Sequence, residues 1–339
     1  MQERRGDARA VLLAAAAAAG LFLAWQLSEV FILAFGAVVM AAVFRALALP
    51  ISRRTPLPEG WAVLLVVLVL VAGVLASGWL FGNQLIGEAR ALIESLPEAI
   101  EDLREQLEAT GMGRNLLDAL QDMIEDAPGA LGNLRQIATG ALGAATTLAL
   151  IFFLSVYLAI NPSLYIRGVV NLFPKAGRQR VLDAIAEAGG DLRSWLVGQA
   201  IAMVSVGLLT GLGLWLLDIP YAFALAVVAG IFEFVPIIGP IAAAVPAVLL
   251  GFGMGGTTGL WVLGLYIAVQ QLESNLIMPV AQRWAVALAP GVGLLAVVAF
   301  GLLFGILGVL FATPLAVVAV AMVRKMWVED TLGGPLEKD

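Results

Sequence analysis

The polar groups most suited to chemistry stand inside an apolar run, Tyr221–Phe252, in the sequence Glu233-Phe234-Val235-Pro236-Ile237-Ile238-Gly239-Pro240. Pro236 and Pro240 lack a backbone N–H, so they bend or break a helix. Irregular backbone at membrane depth is tolerated only where it is buried in protein or lines a water-filled cavity. A carboxylate there, such as Glu233, is a functional-site hypothesis. The alternative is a loop at the membrane edge, with Glu233 among the lipid headgroups.

A second polar group lies in the apolar run 260–277. Gln271 and Asn275 are four residues apart and share a helix face, and Gln270 and Glu273 share a neighbouring one. Such side chains either line a polar pathway or hydrogen-bond helices together. Gln199, a lone amide in the run 195–217, leaves the same two alternatives. The candidate substrate or ion pathway therefore comprises Gln199, Glu233, Pro236, Gly239, Pro240, Gln270, Gln271, Glu273 and Asn275. Within it, Glu233 or Glu273 would be the protonation or cation site.

The composition indicates a membrane protein. Of 339 residues, 61% are hydrophobic and 13% are charged, and the mean hydropathy is +0.97. Soluble domains have about 45–50% apolar and 25% charged residues. The chain has no Cys and no His, which excludes disulfides, Cys or His metal ligands and Ser-His-Asp catalysis. No phosphate-binding loop of the ATPase type is present, and neither is a basic, aromatic-interleaved patch for nucleic acid. We therefore expect neither an enzyme nor a cofactor.

The order of apolar runs predicts an all-α, polytopic transmembrane helix bundle. About eight spans are expected, one of them broken by Pro and Gly or re-entrant. The runs are 11–25, 30–50, 61–81, 141–160, 195–217, 221–252, 260–277 and 285–323. We divide the chain into a three-span region (1–82), a helical insert (83–139), a transport core with a broken helix at 233–240 (140–325) and a tail (326–339). The glycines of the fifth run, such as Gly207, Gly211 and Gly213, are predicted to be close-packing positions.

The segment 83–139 differs from the runs around it. It carries 11 acidic residues against four arginines, a net charge of −7. Its apolar residues recur at helical spacing on one stripe, so we expect an amphipathic, water-exposed helical insert. Ser95-Leu96-Pro97-Glu98 predicts a helix start with a capping box. Asn115 predicts the cap of a second helix, 116–125.

Basic residues near the ends of the runs predict the orientation. The N-terminus, the loop Arg45–Arg54, the segment Arg167–Arg193 and the C-terminus should be cytoplasmic, and the insert extracytoplasmic. This parity holds for eight spans if 221–252 counts as one net crossing. Within the Arg167–Arg193 segment, apolar residues from Val181 to Trp195 recur at helical spacing, which predicts an amphipathic helix at the membrane surface.

Several motifs in one order resemble the AI-2E transporter family, also known as PerM-type permeases. They are Leu196-Val197-Gly198-Gln199, Asp218-Ile219-Pro220-Tyr221-Ala222, Glu233 to Pro240 with its Pro-x-x-Gly-Pro element, Gln271 to Pro279, and Gly305 to Ala316. The set covers residues 141–325, whereas the first half matches only in its layout. Asn161-Pro162 stands where the family commonly has Asp-Gly.

The resemblance implies a multi-pass permease of the bacterial inner membrane whose substrate path lies in the second half. It also implies export of a small molecule such as autoinducer-2, driven by a gradient, and a homo-oligomer for which a pentamer is one candidate. Some relatives resemble Na⁺(Li⁺)/H⁺ antiporters, which is the first alternative. The second is a non-transporting scaffold that binds a partner through the insert 83–139.

Overall fold

The structure, a computed structural model, describes residues 26–110, 134–281 and 289–329, together with Gly333. These residues form helices and no strand, which confirms the all-α prediction. The α-helices are α1 (Ser28–Arg54), α2 (Glu59–Thr110), α3 (Leu134–Ile160), α4 (Pro162–Asn171), α5 (Arg178–Leu216), α6 (Ala222–Phe232), α7 (Ile238–Gly253), α8 (Gly256–Leu272), α9 (Met278–Ala281) and α10 (Pro290–Val323). Two π-helical segments, Glu273–Ile277 and Arg324–Glu329, and a 3₁₀ turn, Lys175–Gly177, complete them.

By length and composition alone, four helical segments in the described ranges could cross a membrane: Ser28–Arg54, Glu59–Asp102, Lys175–Leu216 and Gly291–Glu329. The last of these is bent back at Gly305. The pair Ala145–Ile160 and Pro162–Asn171, bent by 88°, is a fifth candidate. The molecule is therefore a multi-pass membrane protein. The first predicted span, 11–25, lies outside the described residues.

Helix α2 is 52 residues long and continues without a break from the predicted third span into the predicted insert. The expected helix start at Ser95 is wrong, because Ser95 lies inside α2 and its hydroxyl donates to the carbonyl of Leu92 at 3.0 Å. Pro97 is accommodated within the helix. Leu92 and Ala99 belong to one buried cluster with Leu214 of α5 and Leu250 of α7. The first part of the insert is thus packed on the core, and the predicted helix 116–125 lies outside the described residues.

Helix α5 runs through the position where a surface helix was predicted. It is continuous over 39 residues, and Val181, Ala188 and Trp195 are buried along it. Arg324, just after α10, forms ion pairs with Glu187 and, at 2.9 Å, with Asp191. The surface-helix prediction for Val181–Trp195 is therefore wrong, because this apolar stripe packs on protein and extends the fifth span.

Helices α6 and α7 form a hairpin whose tip is residues 233–237. With 11 and 16 residues, they are about 16 and 24 Å long, each shorter than the ~30 Å of a bilayer core. The backbone N–H of Ala224 donates to Glu88 on α2 at 2.9 Å. At the other end, a Cβ on Gly253 would lie 3.1 Å from Ala99, also on α2. Both ends of the hairpin therefore contact one stretch of α2, and the segment counted from sequence as one net crossing folds back on itself.

Helix α10 is a second hairpin, reversed at Gly305, whose φ of 62° and ψ of −143° are not helical. A Cβ on Gly308 would overlap the carbonyl oxygen of Phe300, and one on Gly301 would lie 2.9 Å from Val309. Residues eight apart in a continuous helix are about 12 Å apart. The arms 290–304 and 306–323 therefore run back along each other, and Ala296 and Ala316 share one buried cluster.

Close helix packing confirms the role predicted for the glycines of α5. A Cβ on Gly207 would lie 3.3 Å from the carbonyl oxygen of Ala226 on α6, and one on Gly211 would lie 2.8 Å from the Ala226 side chain. A Cβ on Gly213 would overlap Leu265 of α8. Small residues let these backbones approach closely, and they thereby fix α6, which leads to Glu233.

Candidate functional site

The tip of the first hairpin has a strained backbone. Ile237 has φ 73° and ψ −59°, and the N–H of Ile238 donates to the carbonyl of Pro236 at 2.9 Å. This is the rare γ-turn with positive φ, which is costly for a β-branched residue. Pro236 precedes it and Gly239 follows shortly after, and a Cβ on Gly239 would overlap the carbonyl oxygen of Phe232. Strain of this kind clusters at ligand sites and switch regions.

Pro240 follows in the first turn of α7. A helix begins with four N–H groups that have no partner within the helix, so a proline in this turn removes no helical hydrogen bond. The predicted break is therefore completed before Pro240, and this proline stabilises the start of α7. The tip itself consists of Glu233 to Ile237.

Gln199 of α5 holds this tip from the side. Its Nε2 donates to the backbone carbonyl of Glu233 at 2.6 Å, and both residues are buried, at 1% and 3% exposure. The amide nitrogen of Gln199 therefore joins α5 to the hairpin tip, which is the second of the two alternatives given for this residue. Its Oε1, and Oε2 of Glu233, are buried and have no hydrogen-bond partner among the described residues. Because unsatisfied buried acceptors are costly, this pair of oxygens marks a place where a donor or a cation would be stabilised.

Glu273 lies near the same point. It is buried at 5% exposure and close enough to Glu233 for the two carboxylates to interact electrostatically. It begins the π-helical segment Glu273–Ile277, a form found often at functional sites. Nε2 of Gln270 donates to Oε2 of Glu273 at 2.7 Å. The structure therefore brings together Gln199, Glu233, Gln270 and Glu273.

Gln271 and Asn275 form a separate pair on an exposed face. Nδ2 of Asn275 donates to Oε1 of Gln271 and to its backbone carbonyl, both at 2.9 Å. The shared helix face expected from their spacing is present. Among the described residues, no hydrogen bond joins this pair to Gln199 or Glu233.

The tip of the second hairpin approaches the first. Phe234 packs against Trp195, with ring centroids 5.9 Å apart. Phe304 and Leu307, which flank Gly305, pack on the same buried cluster as Phe234. The open end of the α6–α7 hairpin directly follows the C-terminal end of α5. The open end of the α10 hairpin is held at the N-terminal half of α5, because Arg324 pairs with Asp191 there. The two hairpins thus start at opposite ends of α5, and their tips meet beside its middle.

Gly305 was not among the residues singled out for the pathway. Three glycines in one apolar run, Gly301, Gly305 and Gly308, are equally typical of close helix packing. Of these three, only Gly305 combines a positive φ with open space where a Cβ would stand. The signal in the sequence was the length of the run, which exceeds one span.

This arrangement presents hydrogen-bond acceptors to a ligand. It offers carboxylate and amide oxygens at a break between short helices, which is the construction of ion and substrate sites in secondary transporters. Within the described residues, no cluster of three or more acidic side chains is placed to hold a metal ion. The fold and the site define a polytopic membrane protein whose buried polar groups meet where hairpins end.

The chain belongs to the AI-2E transporter family, because the family described as "AI-2E family transporter" matches residues 13–327. This confirms the resemblance in the motifs of the second half and extends it over the first. The family consists of transport proteins rather than enzymes.

Individual relatives are similar over most or part of their lengths. "Putative transport protein YueF" of Bacillus subtilis is 24% identical over 304 residues, covering 85% of this chain and 82% of YueF. "Putative permease PerM" of Escherichia coli is 27% identical over 268 residues, covering 76% and 75%. "Putative transport protein YrrI" of B. subtilis is 29% identical over 197 residues, so the chain spans about half of that relative, 55%.

Proposed function

We propose that this protein is a gradient-driven permease that exports a small molecule along a path between the two hairpin tips. The observation that carries the proposal is the pair of buried oxygens on Gln199 and Glu233, at a break in the membrane region, that have no partner in the described part of the chain. A buried acceptor without a hydrogen-bond partner costs stability, so a solute that donates a hydrogen bond to it is bound favourably. Pro236, Gly239 and Pro240 shape the break, and Gln270 and Glu273 form its other wall.

The proposed substrate class is a small, neutral, hydroxyl-bearing solute resembling autoinducer-2. The site presents acceptors, so its ligand must bring donors, and hydroxyl groups supply them. The family likeness supports a signal of this kind and hence a role in quorum sensing. Gln271 and Asn275, on the exposed face, would act at the entrance of the path rather than at its centre.

The proposed location is the bacterial inner membrane, with both termini cytoplasmic and 83–139 outside. Treating both 221–252 and 290–323 as hairpins removes two crossings from the expected eight. The number stays even, so the basic segments remain on one side as the positive-inside rule requires. A homo-oligomer, with a pentamer as one candidate, belongs to the same proposal.

A Na⁺(Li⁺)/H⁺ antiporter is the second candidate function, and one observation favours it. Glu233 and Glu273 are both buried and interact electrostatically. Two close carboxylates disfavour double ionisation, so a proton or a monovalent cation stabilises the pair. Exchange of the one for the other would couple the two fluxes.

Transport by the purified protein in liposomes tests the proposal. Wild type, Glu233→Gln and Glu273→Gln are compared for efflux of a radiolabelled furanone diol, and for proton movement on addition of Na⁺ or Li⁺. We expect Glu233→Gln to abolish solute flux or its pH dependence. Cation-dependent proton movement without solute flux would support the antiporter. Unchanged flux and pH dependence in both variants would overturn the carboxylate role.

The scaffold alternative needs a different variant, because deleting 83–139 would also remove contacts of Glu88, Leu92 and Ala99 with the core. Changing Asp118, Asp122, Glu125 and Asp126 to their amides alters the charge of the insert and leaves those contacts in place. Retained flux would support a permease, and loss of partner binding with no flux in either protein would support a scaffold.

A further inference from the structure

We propose that α4 and the segment after it form an interfacial surface that binds the headgroups of anionic phospholipids. Helix α4 follows the span α3 with a bend of 88° at Asn161. A helix perpendicular to a membrane-crossing helix lies along the membrane plane, and we place α4 at the membrane surface on this ground. The surface is defined by Leu164, Val169, Leu172 and Phe173 on its apolar side and by Arg167, Lys175 and Arg180 on its basic side.

The apolar side is uncovered in the folded chain. Leu172 is 84% exposed and Leu164 is 67% exposed, and Val169 and Phe173 are exposed as well. At 100° per residue, Leu164 and Val169 lie on one half of α4, and Arg167 lies on the opposite half. Leu172 and Phe173 directly follow the end of α4 and continue the exposed apolar surface. Ile166 and Val170, on a third side, are less exposed and are placed toward the protein. A helix with an apolar face and a basic face is the form that rests in a bilayer interface.

The basic side has positive charges that could bind an anionic ligand. Arg167, Lys175 and Arg180 are exposed, and no ion pair among the described residues involves them. Of the nearby acids, Glu187 and Asp191 pair with Arg324, whereas Asp183 accepts from the neutral amide of Gln179 at 2.8 Å and forms no ion pair in the described ranges. Three exposed cations therefore lie on or directly after α4, and Arg167 is on the half opposite the apolar side.

Arg178 fixes the relation between the two sides. Its Nε donates to the carbonyl of Phe173 at 3.1 Å, and its Nη2 donates to that of Asn171 at 3.2 Å. These bonds satisfy carbonyls at the C-terminal end of α4 and hold Lys175 and Arg180 beside it. The charges match an anionic headgroup, and the apolar side chains match the acyl boundary below it, so a phospholipid satisfies both sides at once. This proposal is independent of the transported substrate.

Calorimetric titration of the detergent-solubilised full-length protein with short-chain phosphatidylglycerol tests this surface. The variant Arg167→Gln/Lys175→Gln/Arg180→Gln is compared with wild type. The control is Arg90→Gln, which removes an exposed cation from α2. Each basic residue at a membrane surface contributes about 1 kcal/mol of attraction, so each removed charge should weaken binding about fivefold. The control should bind as wild type does, and added salt should weaken wild-type binding.

Separate titrations with phosphatidylcholine and with inorganic phosphate identify the ligand. Binding of phosphatidylglycerol alone supports the proposal. Equal binding of phosphatidylcholine, or binding of inorganic phosphate as tight as that of the lipid, would overturn it, as would equal lipid affinity of wild type and triple variant. If the triple variant fails to fold, Lys175→Gln alone and the salt series on wild type decide by the same criteria.

Discussion

The side-chain amide of Gln199 donates to the backbone carbonyl of Glu233 at 2.6 Å across 34 residues of sequence. This bond joins the middle of a long helix to the tip of a short hairpin. It leaves one oxygen on each residue without a partner among the described residues. The same contact therefore fixes the break and presents two acceptors at it.

Replacing Gln199 with Leu should destabilise the protein, because the carbonyl of Glu233 loses its donor while it stays buried. The expected cost is about 1–3 kcal/mol, measured as thermal unfolding in detergent. Thr210→Val is the matched control on α5, since the hydroxyl of Thr210 is buried and has no partner within the described part of the chain. We expect this control to be neutral or stabilising. Equal destabilisation by both substitutions would contradict the role of Gln199.

Gly239→Ala should disrupt the tip, because its Cβ would overlap the backbone oxygen of Phe232. Overpacking against backbone costs about 1–3 kcal/mol or more. Gly264→Ala on α8 is the control, since a Cβ there meets nothing within 4 Å, and a helical Gly→Ala change stabilises by about 0.5–1 kcal/mol. Thermal unfolding and flux are measured together. A Gly239→Ala protein as stable and active as Gly264→Ala would show that the close approach does not exist.

Gly305→Ala tests the second hairpin. Its φ of 62° with ψ of −143° is a region in which side chains cost about 1–3 kcal/mol. Gly293→Ala, in the first arm of α10 and with open space around it, should be tolerated. We expect Gly305→Ala to lower the unfolding temperature. If α10 were one continuous helix, the same change would raise it.

Glu88 should stabilise the α6–α7 hairpin from outside. Its Oε1 accepts from Gln84 at 2.8 Å, and its Oε2 accepts from the N–H of Ala224, in the first turn of α6. Loss of such a cap costs about 0.5–2 kcal/mol. Glu88→Ala should therefore lower the unfolding temperature and Glu88→Gln should lower it less. The exposed Glu94 provides the control, and its change to Ala should have an effect within about 0.5 kcal/mol. Identical behaviour of Glu88→Ala and Glu94→Ala would exclude the cap.

The sequence predicts the local chemistry of this protein better than its long-range geometry. Glu233, Pro236 and Gly239 stand out because an acid, a proline and a glycine conflict with an apolar helix. The close packing of Gly207 follows from similar reasoning. Both predictions depend only on how a residue agrees or conflicts with the segment around it.

Features that depend on distant contacts were not predictable in the same way. Ser95 has the residues of a helix start, but α2 continues past it because Leu92 and Ala99 pack on the core. The apolar stripe from Val181 to Trp195 could pack on a membrane surface or on protein. Its contacts with α10 and the ion pair of Arg324 show that it packs on protein. The reversal at Gly305 is likewise fixed by its partner arm.

Water access to the first hairpin tip is the most direct test of the central claim. Ile238, the first residue of α7 beside the tip, is 45% exposed. Membrane depth permits such a break only in protein or beside water. The chain has no cysteine, so Ile238→Cys gives a single thiol in liposomes, and Leu208→Cys, on the apolar surface of α5, is its control. We predict that a water-soluble maleimide labels Ile238→Cys, that transported solute slows the labelling, and that Leu208→Cys stays unlabelled. An unreactive Ile238→Cys in a folded, transporting protein would contradict a pathway at this tip.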